Sequence, residues 1–252
     1  MLPVKQKFIQ KGDFMMRKRI TGIMLGIVLF IMSPLTVSAA PMVPAPFTSD
    51  QLLPVAQAAM AGVTSYQIAL VSTSESNKYN PTGKDTVFSI YQITGTSSCI
   101  HILRDQNISA AGKNLSDKLD QYFSLEGNME KNYIHRNDIP WFVLTDPVTE
   151  KNLSKYNIQY ALRLYDSDTI NNVVPVYTDG EVYQFTQSGN GTVSTYTFDA
   201  ASMLLIGIRQ ENSETDSKGR TMTVSLDYVF TYNQFDTLTV PAEVIATAKP
   251  MP

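Results

Sequence analysis

The clearest pattern in the chain lies between Thr221 and Tyr232. Met222, Val224, Leu226, Tyr228, Phe230 and Tyr232 fall on one side of an alternation. Thr221, Thr223, Ser225, Asp227 and Thr231 fall on the other, with Val229 as the exception. Period-two alternation of this kind marks an antiparallel strand with one buried face. At about 3.3 Å per residue the strand is roughly 40 Å long, which suits a large curved sheet better than a compact sandwich. Further strands are predicted for Ser65 to Ser74, Val87 to Ile93 and Cys99 to Leu103, with Gly95 at a turn. Tyr133 to His135 and Trp141 to Leu144 flank a turn at Asp138-Ile139-Pro140. Glu181 to Gln187 carries Tyr183 and Phe185 on one face and meets Thr192 to Phe198 across Asn190-Gly191, a strong hairpin signal. Turns at Asp199 to Ser202 and Asp216 to Gly219 bracket a strand over Leu204 to Arg209. Val240 to Val244 reads as a last edge segment, because Pro241 cannot donate to a ladder.

Two segments change period. Leu52, Val55, Ala56, Ala59, Met60 and Val63 recur at helical spacing after the start signal Thr48-Ser49-Asp50, and Gly62 is a stop. Pro54 fits this helix only in its first turn. Between Asp146 and Tyr165, Leu153, Tyr156, Tyr160 and Leu164 predict a second helix. Ala40 to Phe47 holds three prolines and reads as an extended tether, and residues 249–252 read as a tail.

The N-terminal region reads as a secretory leader. Arg17, Lys18 and Arg19 form a basic start, and Met15 or Met16 begins a conventional signal. Ile20 to Met32 is apolar but shorter than the about 20 residues of a membrane span. Val37-Ser38-Ala39-Ala40 supplies the small residues for cleavage after Ala39. An uncleaved membrane anchor is the alternative. Residues 1–39 are thus a cleaved signal peptide, 40–47 a tether, and 48–248 a single domain without stable membrane insertion.

Charge sharpens this reading. Residues 1–39 carry six basic side chains against Asp13, so the remainder has 14 basic and 22 acidic residues, a net charge of −8. Such a chain repels phosphate backbones, and nucleic acid is excluded as a partner. An apolar fraction of 43% is enough to build a packed core. Cys99 is the sole cysteine, so no internal disulfide exists and stability must come from the core. It reads as a buried thiol; His101 shares its strand face but completes no recognised nucleophile motif.

The order of parts resembles the bacterial LolA-like family of exported lipid-handling proteins. The marks are Asp199-Ala200-Ala201-Ser202-Met203-Leu204-Leu205, Tyr228-Val229-Phe230-Thr231-Tyr232-Asn233 and Val240-Pro241-Ala242-Glu243-Val244. The resemblance spans roughly Thr48 to Ala248. It implies a mainly β, α+β fold: a large curved antiparallel sheet forming a half-open β-barrel, with short helices covering the concave side. It also implies a cavity for lipid. The ligand is expected against the Met222-to-Tyr232 face and beneath the first helix. The expected lining is Leu52, Met60, Tyr133, Trp141, Tyr183, Phe185, Met222, Val224, Leu226, Tyr228 and Phe230. No lipid-anchor cysteine follows the leader, so a soluble carrier is favoured over an anchored sensor.

Catalytic signals are lacking. No Gly-x-Ser-x-Gly, His-Glu-x-x-His or phosphate-cradling glycine loop occurs. His101 and His135 lie far apart in sequence, without carboxylates that can be placed beside them. The acid pairs Asp117/Asp120, Asp166/Asp168 and Glu211/Glu214 read as solvated charges in turn-like or exposed contexts. The four Asn-x-Ser/Thr triplets, at Asn107, Asn114, Asn152 and Asn190, read as coincidence in a bacterial chain. The chain is therefore expected to be a monomeric, non-enzymatic periplasmic or extracellular carrier without cofactor or metal. Its partner is a lipid or hydrophobic small molecule. The alternative is a cell-envelope regulatory or protein-interaction module on the same fold.

Overall fold

The computed structural model describes residues 41–77, 84–156, 173–189 and 191–251. The predicted leader, residues 1–39, lies outside the described residues, as do Tyr160 and Leu164 of the second predicted helix. The described chain opens with strand β1 (Val43–Thr48) and helix α1 (Ser49–Ala59), which runs on as a 3-10 turn over Met60–Gly62. A six-strand meander follows: β2 (Ser65–Ser76), β3 (Asp85–Thr96), β4 (Cys99–Ala110), β5 (Lys113–Glu126), β6 (Met129–Arg136) and β7 (Phe142–Pro147). After α2 (Glu150–Ser154) comes a second meander: β8 (Pro175–Thr178), β9 (Val182–Gly189), β10 (Thr192–Asp199), β11 (Leu205–Thr215) and β12 (Thr221–Tyr232). Helix α3 (Ala242–Thr247) and the two-residue strand β13 (Lys249–Pro250) end the described chain.

All thirteen strands join one sheet, in the order β1-β8-β9-β10-β11-β12-β2-β3-β4-β5-β6-β7-β13. The long alternating strand β12 is the seam: it pairs β11 on one side and β2 on the other, welding the two meanders. The edge strands β1 and β13 do not pair with one another, so the sheet stays open.

One helix shows how far the sheet bends. Leu52, Leu53, Ala56 and Met60 share a hydrophobic cluster with residues from every strand between β8 and β3. Laid flat, six inter-strand spacings cover about 29 Å, whereas a helix is about 10–12 Å across. A single cluster that joins seven strands to one helix fits a sheet curled about that helix. The α1 side is therefore the inner, concave face of a half-open barrel. A second cluster of Cys99, Tyr122, Tyr133, Val240 and Val244 sits on the opposite face, where α3 covers β4 to β7.

Several local expectations change. The proline-rich tether forms β1, hydrogen-bonded along β8 at the sheet edge, where Pro44 and Pro46 leave few donors to lose. Pro54 lies beyond the first turn of α1, on its exposed side, so the helix tolerates one missing backbone bond there. The segment around Pro241 is the start of α3 rather than an edge strand; Val240 and Val244, four apart, pack on one side of it. The edge strand is β13, within the stretch read as a tail.

Gly95 is not a turn residue. It sits inside β3 opposite Tyr66, whose ring lies flat over it; a Cβ there would stand 2.4 to 2.5 Å from ring atoms. Gly95→Ala should therefore destabilise the fold by about 1–3 kcal/mol, read as a lower urea midpoint. The loss should shrink in a Tyr66→Leu background. An equal loss in both backgrounds would mean the ring contact is not its cause.

Candidate functional site

Strand register fixes which side chains share the inner face. One row runs Phe185, Tyr196, Ile208, Tyr228, Leu70, Tyr91, Arg104, Leu119, Arg136 across nine strands. The next row, farther from α1, runs Ser194, Gln210, Leu226, Ser72, Ser89, Gln106, Asp117. The inner face is thus apolar beneath α1 and turns polar toward β4 to β6.

The expected lining residues fall into three groups. Leu52, Met60, Phe185 and Phe230 are fully enclosed in the α1 cluster, and Tyr183 and Tyr228 pack against it. These six are core. Val224 and Leu226 continue along the same face, half-buried, and Met222 at its end is 42% exposed. Tyr133 and Trp141 do not join them. Tyr133 pairs with Tyr122 on the outer face, and Trp141 stacks on His135 at 5.2 Å. Sequence spacing could not separate the two faces, because a single-residue step in register exchanges them. An outer-face groove of about 420 Å³, lined by Thr73, Glu75, Val193, Glu211, Thr223 and Ser225 among others, meets the expected set only at Val224.

The polar end of the inner face holds a cluster that sequence reading missed. Asp117 accepts from Arg136 Nε at 2.7 Å and Nη2 at 3.1 Å, and from Arg104 Nη2. The Arg136 hydrogen bond holds the Asp117 carboxyl below the usual carboxylate range, against the opposing effect of its burial, and the Arg104 charge adds to it. Asp117 and Asp120 are not solvated turn residues. Both are within β5, on opposite faces, and Asp120 Oδ1 lies 2.9 Å from His101 Nε2. Asp166 and Asp168 lie outside the described residues.

A second buried carboxylate anchors the chain after α2. Glu130 accepts from Tyr156 OH at 2.6 Å and is 2.7 Å from Lys155 Nζ, which lies 4.1 Å over the Phe123 ring. Burial first, and the Glu130 carboxylate second, push the Tyr156 hydroxyl upward.

On the outer face, Cys99 is 2% exposed and desolvation pushes its thiol up to about 11, so it is held protonated at neutral pH. His101 stacks on Tyr122 at 4.0 Å. Among the described residues no three histidine, cysteine or carboxylate side chains gather as metal ligands.

Two of the three stretches that carry the family resemblance have structural work in their turns. Asp199 Oδ2 accepts from Ser202 N at 2.7 Å and Oγ at 2.6 Å, closing the β10–β11 turn. Asn233 Oδ1 accepts from Thr64 N at 2.8 Å, tying the end of β12 to the start of β2.

No family model and no curated protein matches the sequence. Among solved structures, the chain is similar to a β-barrel-like protein of the domain of unknown function DUF1849 from Brucella abortus. That match has 10% identity and a TM-score of 0.28, over 68% of this chain and 97% of the other. It is also similar to the S-type phycobiliprotein lyase from Guillardia theta, at 10% identity and a TM-score of 0.21, over 75% of this chain and 96% of the other. At these scores neither match carries an argument about fold or function.

The Asp117 cluster makes a pH-dependent contribution whose sign follows from the lowered carboxyl. A group depressed in the folded state adds stability above its unfolded value and loses it as pH falls through the folded one. Asp117→Asn should cost about 1–3 kcal/mol at neutral pH, by leaving two guanidiniums short of an acceptor. Urea unfolding should show that gap closing as the solution is acidified below about pH 4. A gap that stays constant down to strong acid would refute the assignment.

Proposed function

We propose that this chain is an exported bacterial binding protein that carries a lipid or another hydrophobic ligand on the inner face of its half-barrel. The observation that carries the reading is the partial cover of that face. Leu70, Tyr91, Ile102 and Leu119 stand on central strands, yet they are only half-buried, past the reach of α1. Removing such surface from water is worth about 25 cal/mol per Å², which a greasy ligand would gain on docking there. A soluble carrier needs this combination: a solid core to hold the fold, and an adjoining oily strip that the core leaves free.

The Arg17-to-Ala40 leader supports export to the periplasm or beyond. Membership of the LolA-like family is retained as the reading of the Asp199-to-Leu205 and Tyr228-to-Asn233 motifs, and the open half-barrel is the architecture that family implies. The proposed role is binding without turnover. Cys99 is protonated and enclosed, and His101 is committed to Asp120.

Native mass spectrometry of protein purified without detergent should show an adduct that organic solvent extracts as lipid. Leu226→Glu places a charge among half-buried inner-face residues and should abolish the adduct while leaving soluble, folded protein. Unchanged retention by the variant would count against the inner face. A stoichiometric protein partner with no extractable lipid would favour the envelope interaction module instead.

A further inference from the structure

We infer that the ligand is an anionic amphiphile whose acidic head meets the Arg104–Asp117–Arg136 end of the inner face. The inference rests on the carrier reading above and adds the chemistry of the head. Along the row from Tyr228 through Leu70 and Tyr91 to Arg104, the face changes from apolar to cationic. That stretch crosses three inter-strand spacings, about 14 Å, long enough to support an extended alkyl chain.

Two guanidiniums share one carboxylate, which leaves a surplus positive charge. The adjoining inner-face residues Ser89, Tyr91, Gln106, Leu119 and Gln121 add no charge to cancel it. Donors remain uncommitted as well. Arg104 Nε is buried without a hydrogen-bond partner, and Nη1 of either arginine makes no hydrogen bond among the described residues. Guanidinium forks match carboxylate and phosphate oxygens, and a half-buried setting strengthens such contacts over their value in water. Nearby Ser89 Oγ accepts from Gln106 Nε2 at 3.0 Å and both are neutral, so the charged donors at this end are the arginines.

The chain past the leader is acidic, with a net charge of −8, so bulk attraction cannot draw an anion to it. Preference for an acidic head has to come from this cluster. Arg136 is the accessible member, with its side chain 58% exposed, while Arg104 is mostly covered. The head is therefore received by Arg136 at the surface, with Arg104 behind it and Asp117 holding both forks in place.

The test is fluorescence titration of the exported protein at low salt, with a dansyl-labelled fatty acid and its methyl ester as probes. The two share a chain and differ by one charge. The acid should bind about tenfold more tightly than the ester, the worth of one charge-assisted contact. Arg136→Gln should weaken the acid by a similar factor and leave the ester unchanged, with an unaltered circular dichroism spectrum. Equal affinity of acid and ester for the native protein would overturn the anionic head and leave the carrier reading standing. So would an equal loss of both probes in the variant. Failure of both probes to bind the native protein would remove the carrier reading and this inference together.

Discussion

The fold depends on one narrow helix filling the bend of a much wider sheet. Helix α1 offers only a stripe of side chains, and the cluster it joins takes in seven strands. The sheet satisfies this by curling, and the curl then dictates which residues can sit where. Ala56 is fully enclosed beneath the helix. Gly95 must lack a side chain because the Tyr66 ring lies over it. The start of the helix is pinned at both ends of one residue: Ser49 N donates to Val174 O at 3.0 Å, and Ser49 Oγ accepts from Val174 N at 3.1 Å. Burying Leu52, Leu53 and Met60 is worth about 1.5–3 kcal/mol each, enough to hold a short helix with a proline in it.

The same geometry leaves part of the inner face uncovered. A helix of eleven residues covers one end of strands that run to twelve. Past its reach the inner face keeps oily side chains in partial contact with water, and then passes to serines, glutamines and the arginine cluster. The outer face solves its own problem separately, with α3 and the Leu238-to-Val240 stretch over the aromatic cluster around Tyr122. Open sheets carry a hazard, since free edges recruit other strands. Here both edges are blunted by proline, at Pro44 and Pro46 in β1 and at Pro250 in β13. The barrel can stay open without inviting further pairing.

Much of this architecture is written in the sequence. Period-two alternation located β2, β9, β10 and β12 within a few residues, and the Thr48-Ser49-Asp50 signal located α1, because these patterns reflect local backbone geometry. The arginine cluster was not legible. Arg104 and Asp117 are thirteen residues apart, and Arg136 lies nineteen beyond Asp117; each alone resembles an ordinary surface charge. Pro241 was misread for a related reason. Its missing donor suits a sheet edge and a helix start equally, and the packing of Val240 and Val244 decided between them.

The sequence by itself determined a β-rich chain with one early amphipathic helix, an acidic body behind a basic and apolar N-terminal stretch, and turns placed by Asp, Asn and Gly. Only the tertiary structure decided the faces. Alternation states that neighbouring residues part company, but not which side is inner, and that depends on register across every strand pair from β9 to β7. Hence Phe230 is core, Leu226 stands half-buried farther along the same face, Tyr133 and Trp141 fall on the outer side, and three distant charges meet at one end of the concave face.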